Sequence, residues 1–285
     1  MERFNHNLKK DRIDAPIGVF DSGVGGLTVA REIIRNLPQE RIVYFGDTAR
    51  VPYGSKSKDT ILKYSRQIIR FLRTKGVKAI VVACNTASAL ALEEVKKEMD
   101  IPIIGVIEPG AKVAVETTRN GKIGVIGTEA TVRSHVYSTF IHEKKQGMQV
   151  LEKACPLFVP LVEEGLLKDP VTIEMAGRYL KEIKNSGIDT LILGCTHYPL
   201  LRSTVGEIMG DEITLVNPAY ETARGLWKLL IEEGIAKQDK SVDGGIQKIG
   251  HEFYVSDAEE KFMGFARSIL PNDIEKVNLI NIEEY

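Results

Sequence analysis

Two cysteines stand at matching points of the chain, and their surroundings set the chemistry open to it. One lies in Ile80-Val81-Val82-Ala83-Cys84-Asn85-Thr86-Ala87, the other in Leu191-Ile192-Leu193-Gly194-Cys195-Thr196-His197-Tyr198. Each thiol follows a short apolar run of strand type and precedes small hydroxyl or amide residues suited to opening a helix. In open α/β sheets the carboxyl ends of strands are where ligands bind. A helix amino terminus at that edge lowers a nearby thiol pKa and offers N–H groups to an anion. One such cysteine reads equally well as an unreactive core thiol; two at equivalent points favour function. Opposed thiols suit inversion at a carbon bearing a weakly acidic hydrogen, where a base works on one face and an acid on the other. An unperturbed thiol is only a few per cent ionised near pH ~7, so neighbouring groups must assist.

The candidates for that assistance sit at other strand ends: Asp21 after Val19-Phe20, Glu163 after Val159-Pro160, and His197 beside Cys195. Each also has a plainer reading. Asp21-Ser22-Gly23 suits a turn or an N-cap, Glu163 and Glu164 suit solvated charges at a helix start, and His197 suits a satisfied loop histidine. The third thiol, in Lys153-Ala154-Cys155-Pro156, has no counterpart in the first half and reads as structural. The absence of a CxxC pair removes support for a redox motif or a clustered zinc site. Gly23-Val24-Gly25-Gly26 lacks the spacing of a nucleotide loop; a backbone cradle for a substrate carboxylate suits it better.

The elements that must position these residues are legible as a rhythm. Short apolar runs (Ile17–Phe20, Ile42–Phe45, Ala79–Ala83, Ile103–Val106, Ile123–Ile126, Thr190–Leu193) alternate with amphipathic stretches such as Leu27–Arg35, Ser57–Lys75, Ala87–Met99, Ala111–Thr118, Thr131–Lys145 and Leu200–Met209. Runs this short and rich in Val and Ile predict strands buried on both faces of mainly parallel sheets. Near the end, Phe253-Tyr254-Val255 leads into Ser256-x-x-Glu259, a capping-box pattern that predicts a last helix. The chain also repeats itself: Ile17-Gly18-Val19 returns as Ile123-Gly124-Val125, Val51-Pro52 as Val159-Pro160, and Gly76-Val77-Lys78 before Cys84 as Gly187-Ile188-Asp189 before Cys195. These anchors keep their order at offsets of 106, 108 and 111 residues, which predicts two related α/β halves.

Composition narrows the field. The 285 residues carry 38 Lys+Arg against 39 Asp+Glu, a net charge of -1, without the basic excess of a nucleic-acid-binding surface. The longest uncharged stretch, Ala79 to Leu92, is too short and polar to span a bilayer. Residues 1–12 read as a loose polar tail without the apolar segment of a secretory signal. Three scattered cysteines form no disulfide framework, so a reducing cytoplasmic location is expected.

Five ordered motifs carry a resemblance. They are Gly18-Val19-Phe20-Asp21-Ser22-Gly23-Val24-Gly25-Gly26-Leu27, Tyr44-Phe45-Gly46-Asp47-Thr48-Ala49-Arg50-Val51-Pro52-Tyr53-Gly54, Ala83-Cys84-Asn85-Thr86-Ala87-Ser88, Pro160-Leu161-Val162-Glu163 and Leu193-Gly194-Cys195-Thr196-His197-Tyr198-Pro199-Leu200. Over roughly residues 16–270 the chain resembles the glutamate racemases of the aspartate/glutamate racemase superfamily. That resemblance implies a cofactor-independent isomerase that interconverts L- and D-glutamate and supplies D-glutamate for peptidoglycan. It implies two pseudo-symmetric three-layer α/β domains, residues 1–108 with 218–285 and residues 109–217, with the active site in the cleft between them. It implies Cys84 and Cys195 as paired acid and base, Asp21 assisting the first, Glu163 and His197 the second. It implies substrate contacts at Asp21, Ser22, Tyr53, Gly54, Asn85, Thr86, Thr196 and His197, no metal, and a homodimer. Asn217-Pro218 departs from the Asp-Ser pair common before the Glu221-Thr222-Ala223 helix, so no contact is carried over from that position. Racemisation of aspartate by the same thiols, and a binding protein on the same fold, are the alternatives; retention of both thiols and all three helpers counts against the second.

Overall fold

In a computed structural model, which describes residues 12–237 and 249–285, the strands form two separate sheets, every pairing parallel. The polar tail expected over residues 1–12 lies almost wholly outside the described residues. The first half runs β1 (Ile17–Asp21), α1 (Leu27–Asn36), β2 (Ile42–Gly46), α2 (Lys58–Thr74), β3 (Ala79–Val82), α3 (Asn85–Leu90), α4 (Leu92–Lys97) and β4 (Ile103–Gly105). Helix α5 (Ile107–Thr117) leads to β5 (Lys122–Gly127), α6 (Glu129–Arg133), α7 (Val136–Lys144), β6 (Gln149–Ala154), α8 (Phe158–Glu163), α9 (Pro170–Asn185), β7 (Thr190–Gly194), α10 (Arg202–Met209) and β8 (Thr214–Val216). Helix α11 (Pro218–Glu232) returns the chain to the first sheet, which β9 (Glu252–Val255), α12 (Glu259–Ile269) and β10 (Val277–Leu279) complete.

The sheet orders are β10-β9-β2-β1-β3-β4 and β6-β5-β7-β8. The second therefore repeats the order β2-β1-β3-β4 at one end of the first, and the register repeats with it. Ile17 faces Ala79 across β1 and β3, and Ile123 faces Thr190 across β5 and β7. The turns before β3 and β7 also match: Gly76 has φ +66° and Gly187 φ +75°, a left-handed conformation that glycine adopts without strain after a helix. The Val-Pro anchor repeats in sequence but not in backbone. Val51–Pro52 is a cis peptide between two 3-10 turns, whereas Val159-Pro160 lies within α8.

Strand periodicity decides the layers. Alternate side chains leave opposite faces of a strand, so Ile17 and Val19 join one buried cluster while Phe20, with Val43 and Phe45, joins another under α2. In the second sheet Ile126, Leu191 and Leu193 pack with Phe158, Leu180 and Ile183, and Ile123, Val125 and Ile192 turn the other way. Both inward faces meet in one continuous cluster that also takes in Ala111, Ala114, Ala223 and Leu226 of α5 and α11. Each buried Val, Ile, Leu or Phe contributes about 1.5–3 kcal/mol relative to exposure.

Several expected boundaries shift. Ala87–Met99 is two helices, interrupted at Ala91, whose φ and ψ of -123° and -23° leave the helical region. Thr131–Lys145 divides at His135, which sits at φ +54°. The capping box at Ser256 does not form: that hydroxyl donates to Asp47 and accepts from the Ala49 amide, and α12 begins at Glu259 behind the left-handed Ala258. At the departure noted above, Asn217 is itself the N-cap of α11, accepting from Ala219 N–H at 3.1 Å, with Pro218 in the first turn.

Candidate active site

Both thiols open onto one cavity of about 440 Å³ where the carboxyl ends of the two sheets meet. Cys84 and Cys195 are each 5% exposed, so both sulfurs are nearly removed from water yet line the same space. Cys84 follows β3 and stands at the N-cap position of α3, where its side chain makes no capping hydrogen bond. The second thiol differs locally. Cys195 follows β7 but leads into a 3-10 turn, Tyr198–Leu201, before α10 begins at Arg202.

The groups around the two sulfurs have opposite electrostatic character. Asp21 ends β1, the strand beside β3, and is fully buried. Its Oδ2 accepts from Gly26 N–H at 2.8 Å and Gly23 N–H at 3.2 Å, while Oδ1 is buried without a hydrogen-bond partner among the described residues. Burial raises its pKa, against the pull of His197 and of the Gly26, Gly23 and Ser22 amides. Burial and then the Asp21 charge push the Cys84 thiol well up, so Cys84 rests protonated. On the other side His197 Nδ1 stands 3.8 Å from Cys195 Sγ, and His197 Nε2 is 3.0 Å from Glu163 Oε1. Burial alone would lower the imidazole pKa, but Cys195, Glu163 and Asp21 together push it up to about 10. The same hydrogen bond from His197 holds Glu163 below the usual carboxylate range. One sulfur is thus backed by a carboxylate, the other by an imidazolium that a second carboxylate supports.

The remaining residues expected at the site fall in place around this centre. Ser22, Tyr53, Gly54, Asn85, Thr86 and Thr196 all line the cavity. Asp21 does not; it lies behind the wall and acts on the cavity only through the groups it touches. Cys155 also stands apart, in the apolar cluster with Ile126, Phe158 and Tyr198, where burial pushes its thiol up to about 12. Among the described residues no group of three or more His, Cys, Asp or Glu side chains is placed to hold a metal ion. Among the described residues no Lys or Arg lines the cavity, so beside the His197 imidazolium an anionic ligand meets hydroxyls, amides and backbone N–H groups.

Contacts across the cleft join the halves at this level. Thr28 Oγ1 donates to Thr196 O at 3.0 Å, Tyr137 OH donates to Asn85 Oδ1 at 2.7 Å, and Thr86 Oγ1 lies 2.9 Å from Thr128 Oγ1. Neither Tyr137 nor Thr128 was marked out by sequence pattern. Both lie in helical or turn segments whose role depends on what the other sheet brings opposite them.

Comparison with known proteins decides the family. The model of Asp/Glu/hydantoin racemases matches residues 17–224. The chain belongs to that racemase family. A glutamate racemase of Geobacter metallireducens is 48% identical over 267 residues, covering 94% of this chain and 97% of its own. The structure of a glutamate racemase isoform from Bacillus anthracis superposes with a TM-score of 0.88 at 40% identity, covering 93% of this chain and 97% of the other. That of the Francisella tularensis glutamate racemase, solved in complex with D-glutamate, gives 0.86 at 36% identity, covering 96% and 100%. The cleft of this chain lies between its two α/β sheets, and among the described residues no helix is long and apolar enough to cross a membrane.

Proposed function

We propose that the protein is a glutamate racemase that inverts Cα with Cys84 and Cys195 as face-specific acid and base. The observation that carries this reading is the pair of thiols at equivalent strand ends, open to one cavity and backed by unlike groups. In one direction the Cys195 thiolate, paired with the His197 imidazolium, removes the Cα proton from one face. The electron pair rests on Cα and its carboxylate, and the Cys84 S–H then delivers its own proton to the opposite face. The product leaves with inverted configuration, Cys195 protonated and Cys84 ionised. Exchange with solvent, or a turnover in the reverse direction, resets the pair. Asp21 disfavours charge on Cys84 in the resting site and takes up its proton in the reverse direction, for which its unpaired Oδ1 is suited. Glu163 holds the His197 ring in line with Cys195 and supports its charge. The substrate carboxylates are held by Ser22, Asn85, Thr86 and Thr196 together with the Tyr53-Gly54 wall, which suits a cavity whose described lining has no Lys or Arg. The reaction needs no cofactor.

In this reading the cleft separates two domains, residues 1–108 with 218–285 and residues 109–217. The enzyme works in the cytoplasm as a homodimer and supplies D-glutamate for peptidoglycan. The test uses solvent deuterium. L-Glutamate turned over in D₂O is expected to give D-glutamate carrying deuterium at Cα, while L-glutamate recovered early carries almost none. Substantial deuterium in the recovered L-form would refute separate, face-specific thiols.

A further inference from the structure

The wall of the cleft that carries Tyr53 and Gly54 is a single short 3-10 turn, Tyr53–Ser55, joined through Val51 and Pro52 to the 3-10 turn Thr48–Arg50. In a cavity that no Lys or Arg lines among the described residues, affinity for an anion depends on how accurately such a wall places its polar groups. What holds it is an ionic network that runs from the buried Asp47 to the exposed Glu283. Asp47 is fully buried; it accepts from Arg50 Nε at 3.0 Å and 2.7 Å and from Ser256 Oγ at 2.9 Å, and its Oδ2 binds the Tyr53 hydroxyl. Arg50 Nη1 donates to Gln67 Oε1 at 2.6 Å and to Glu283 Oε1 at 3.1 Å. Gln67 Nε2 donates to the other Glu283 oxygen at 3.2 Å, and the Arg50 guanidinium lies 4.0 Å from the centroid of the Tyr64 ring.

Two consequences follow from this arrangement. The Tyr53 hydroxyl is occupied on the side away from the cavity, so Tyr53 meets a ligand through its ring and backbone. The wall also has little room to drift toward the second sheet, because a Cβ at Gly54 would lie 2.8 Å from Thr128 Cβ. We propose that Asp47, Arg50 and Glu283 are positioning residues that fix the Pro52–Gly54 wall, so that the C-terminal turn Ile282–Glu284 sets the affinity for glutamate. This inference rests on the racemase reading above for the identity of the ligand. Arg50 suits the part because its planar fork engages Asp47 through one nitrogen and the two acceptors beyond through another, which a lysine ammonium cannot reproduce.

The experiment compares wild type with Glu283→Ala, Glu283→Gln, Arg50→Lys and Asp47→Asn. It measures racemisation kinetics, melting temperature and amide hydrogen exchange of residues 51–56. Glu283 is 58% exposed, so its removal is expected to leave the melting temperature within about two degrees. Glu283→Ala is expected to raise KM roughly three- to tenfold with kcat within about twofold, the pattern of lost uniform binding, and to speed exchange in 51–56. Glu283→Gln, which keeps an acceptor for Arg50, should recover part of both effects, and Arg50→Lys should match Glu283→Ala. If Asp47→Asn does not fold, the other three variants still decide the matter. Unchanged KM and unchanged exchange in Glu283→Ala and Arg50→Lys would overturn the inference, as would a fall in kcat alone. A wild-type protein without glutamate turnover would instead overturn the racemase reading, and loop exchange would then decide on the network by itself.

Discussion

Gly25 brings the first half of the chain against Thr196 and His197, beside the second thiol, and adding one methyl group there tests the geometry directly. A Cβ at residue 25 would stand 2.5 Å from His197 Nδ1 and 2.6 Å from its Cε1, and nearer still to Thr196 Oγ1. Ordinary contact begins at 3.4 Å, so the His197 ring must retreat by about 1 Å or the two halves must part. His197 is 4% exposed and tied to Glu163, which resists that movement. Its Nδ1 would then no longer meet Cys195 Sγ at the present 3.8 Å. A displacement of that size at a reacting centre is worth roughly 100-fold in rate, or about 2.7 kcal/mol of activation free energy. Gly25→Ala is therefore expected to lower kcat about 100-fold with the fold intact by circular dichroism. Steady-state rates from each enantiomer, followed by chiral chromatography, measure it. If the halves part instead, the loss appears mainly in KM. Activity within about threefold of wild type in both parameters would refute the close approach of residue 25 to the His197 pair.

Two further outcomes are expected. Cys84→Ala and Cys195→Ala should each lower turnover in both directions by at least about 1000-fold and combine non-additively, whereas Cys155→Ala, assayed alongside, should keep activity within about twofold. Protein stability should fall as pH rises from about 6.5, the pKa of an unfolded histidine, to about 10, because His197 keeps its proton only when folded. That contribution is complete below the lower value and gone above the upper one, with a slope of up to about 1.4 kcal/mol per pH unit. Denaturant titrations of wild type and His197→Asn should show the slope flattened in the variant; equal slopes would assign it elsewhere.

Much of the architecture could be read from the chain because strands buried on both faces leave continuous apolar runs, as at Ile17–Phe20 and Thr190–Leu193. Strand β6 escaped notice for the opposite reason. Gln149-Val150-Leu151-Glu152-Lys153-Ala154 is a half-exposed edge strand with charges in its course, so neither run nor clean alternation marks it. The Ser256 capping box looked sound locally, but the buried Asp47 carboxylate, over two hundred residues away in sequence, takes the hydroxyl. Cys84, Cys195, Asp21 and His197 could be singled out because rare residue types follow apparent strands, whereas Glu163, expected at a strand end as well, reaches the cavity from the last residue of α8. Arg50 and Glu283 were not, since their role depends on a meeting between distant segments that no local spacing records.

The unlike surroundings of the two sulfurs bear on yield as well as rate. Enantiomers have identical free energies in water, so a racemase leaves an equal mixture however lopsided its site. The carboxylate behind Cys84 and the imidazolium behind Cys195 cannot enrich one enantiomer at equilibrium. They can only redistribute effort: if one hand of substrate is turned over faster at saturation, it must also be bound less tightly by the same factor, so that kcat/KM stays equal in the two directions. The cell gains no one-way valve from this asymmetry, and a net flow toward D-glutamate has to come from reactions that withdraw it.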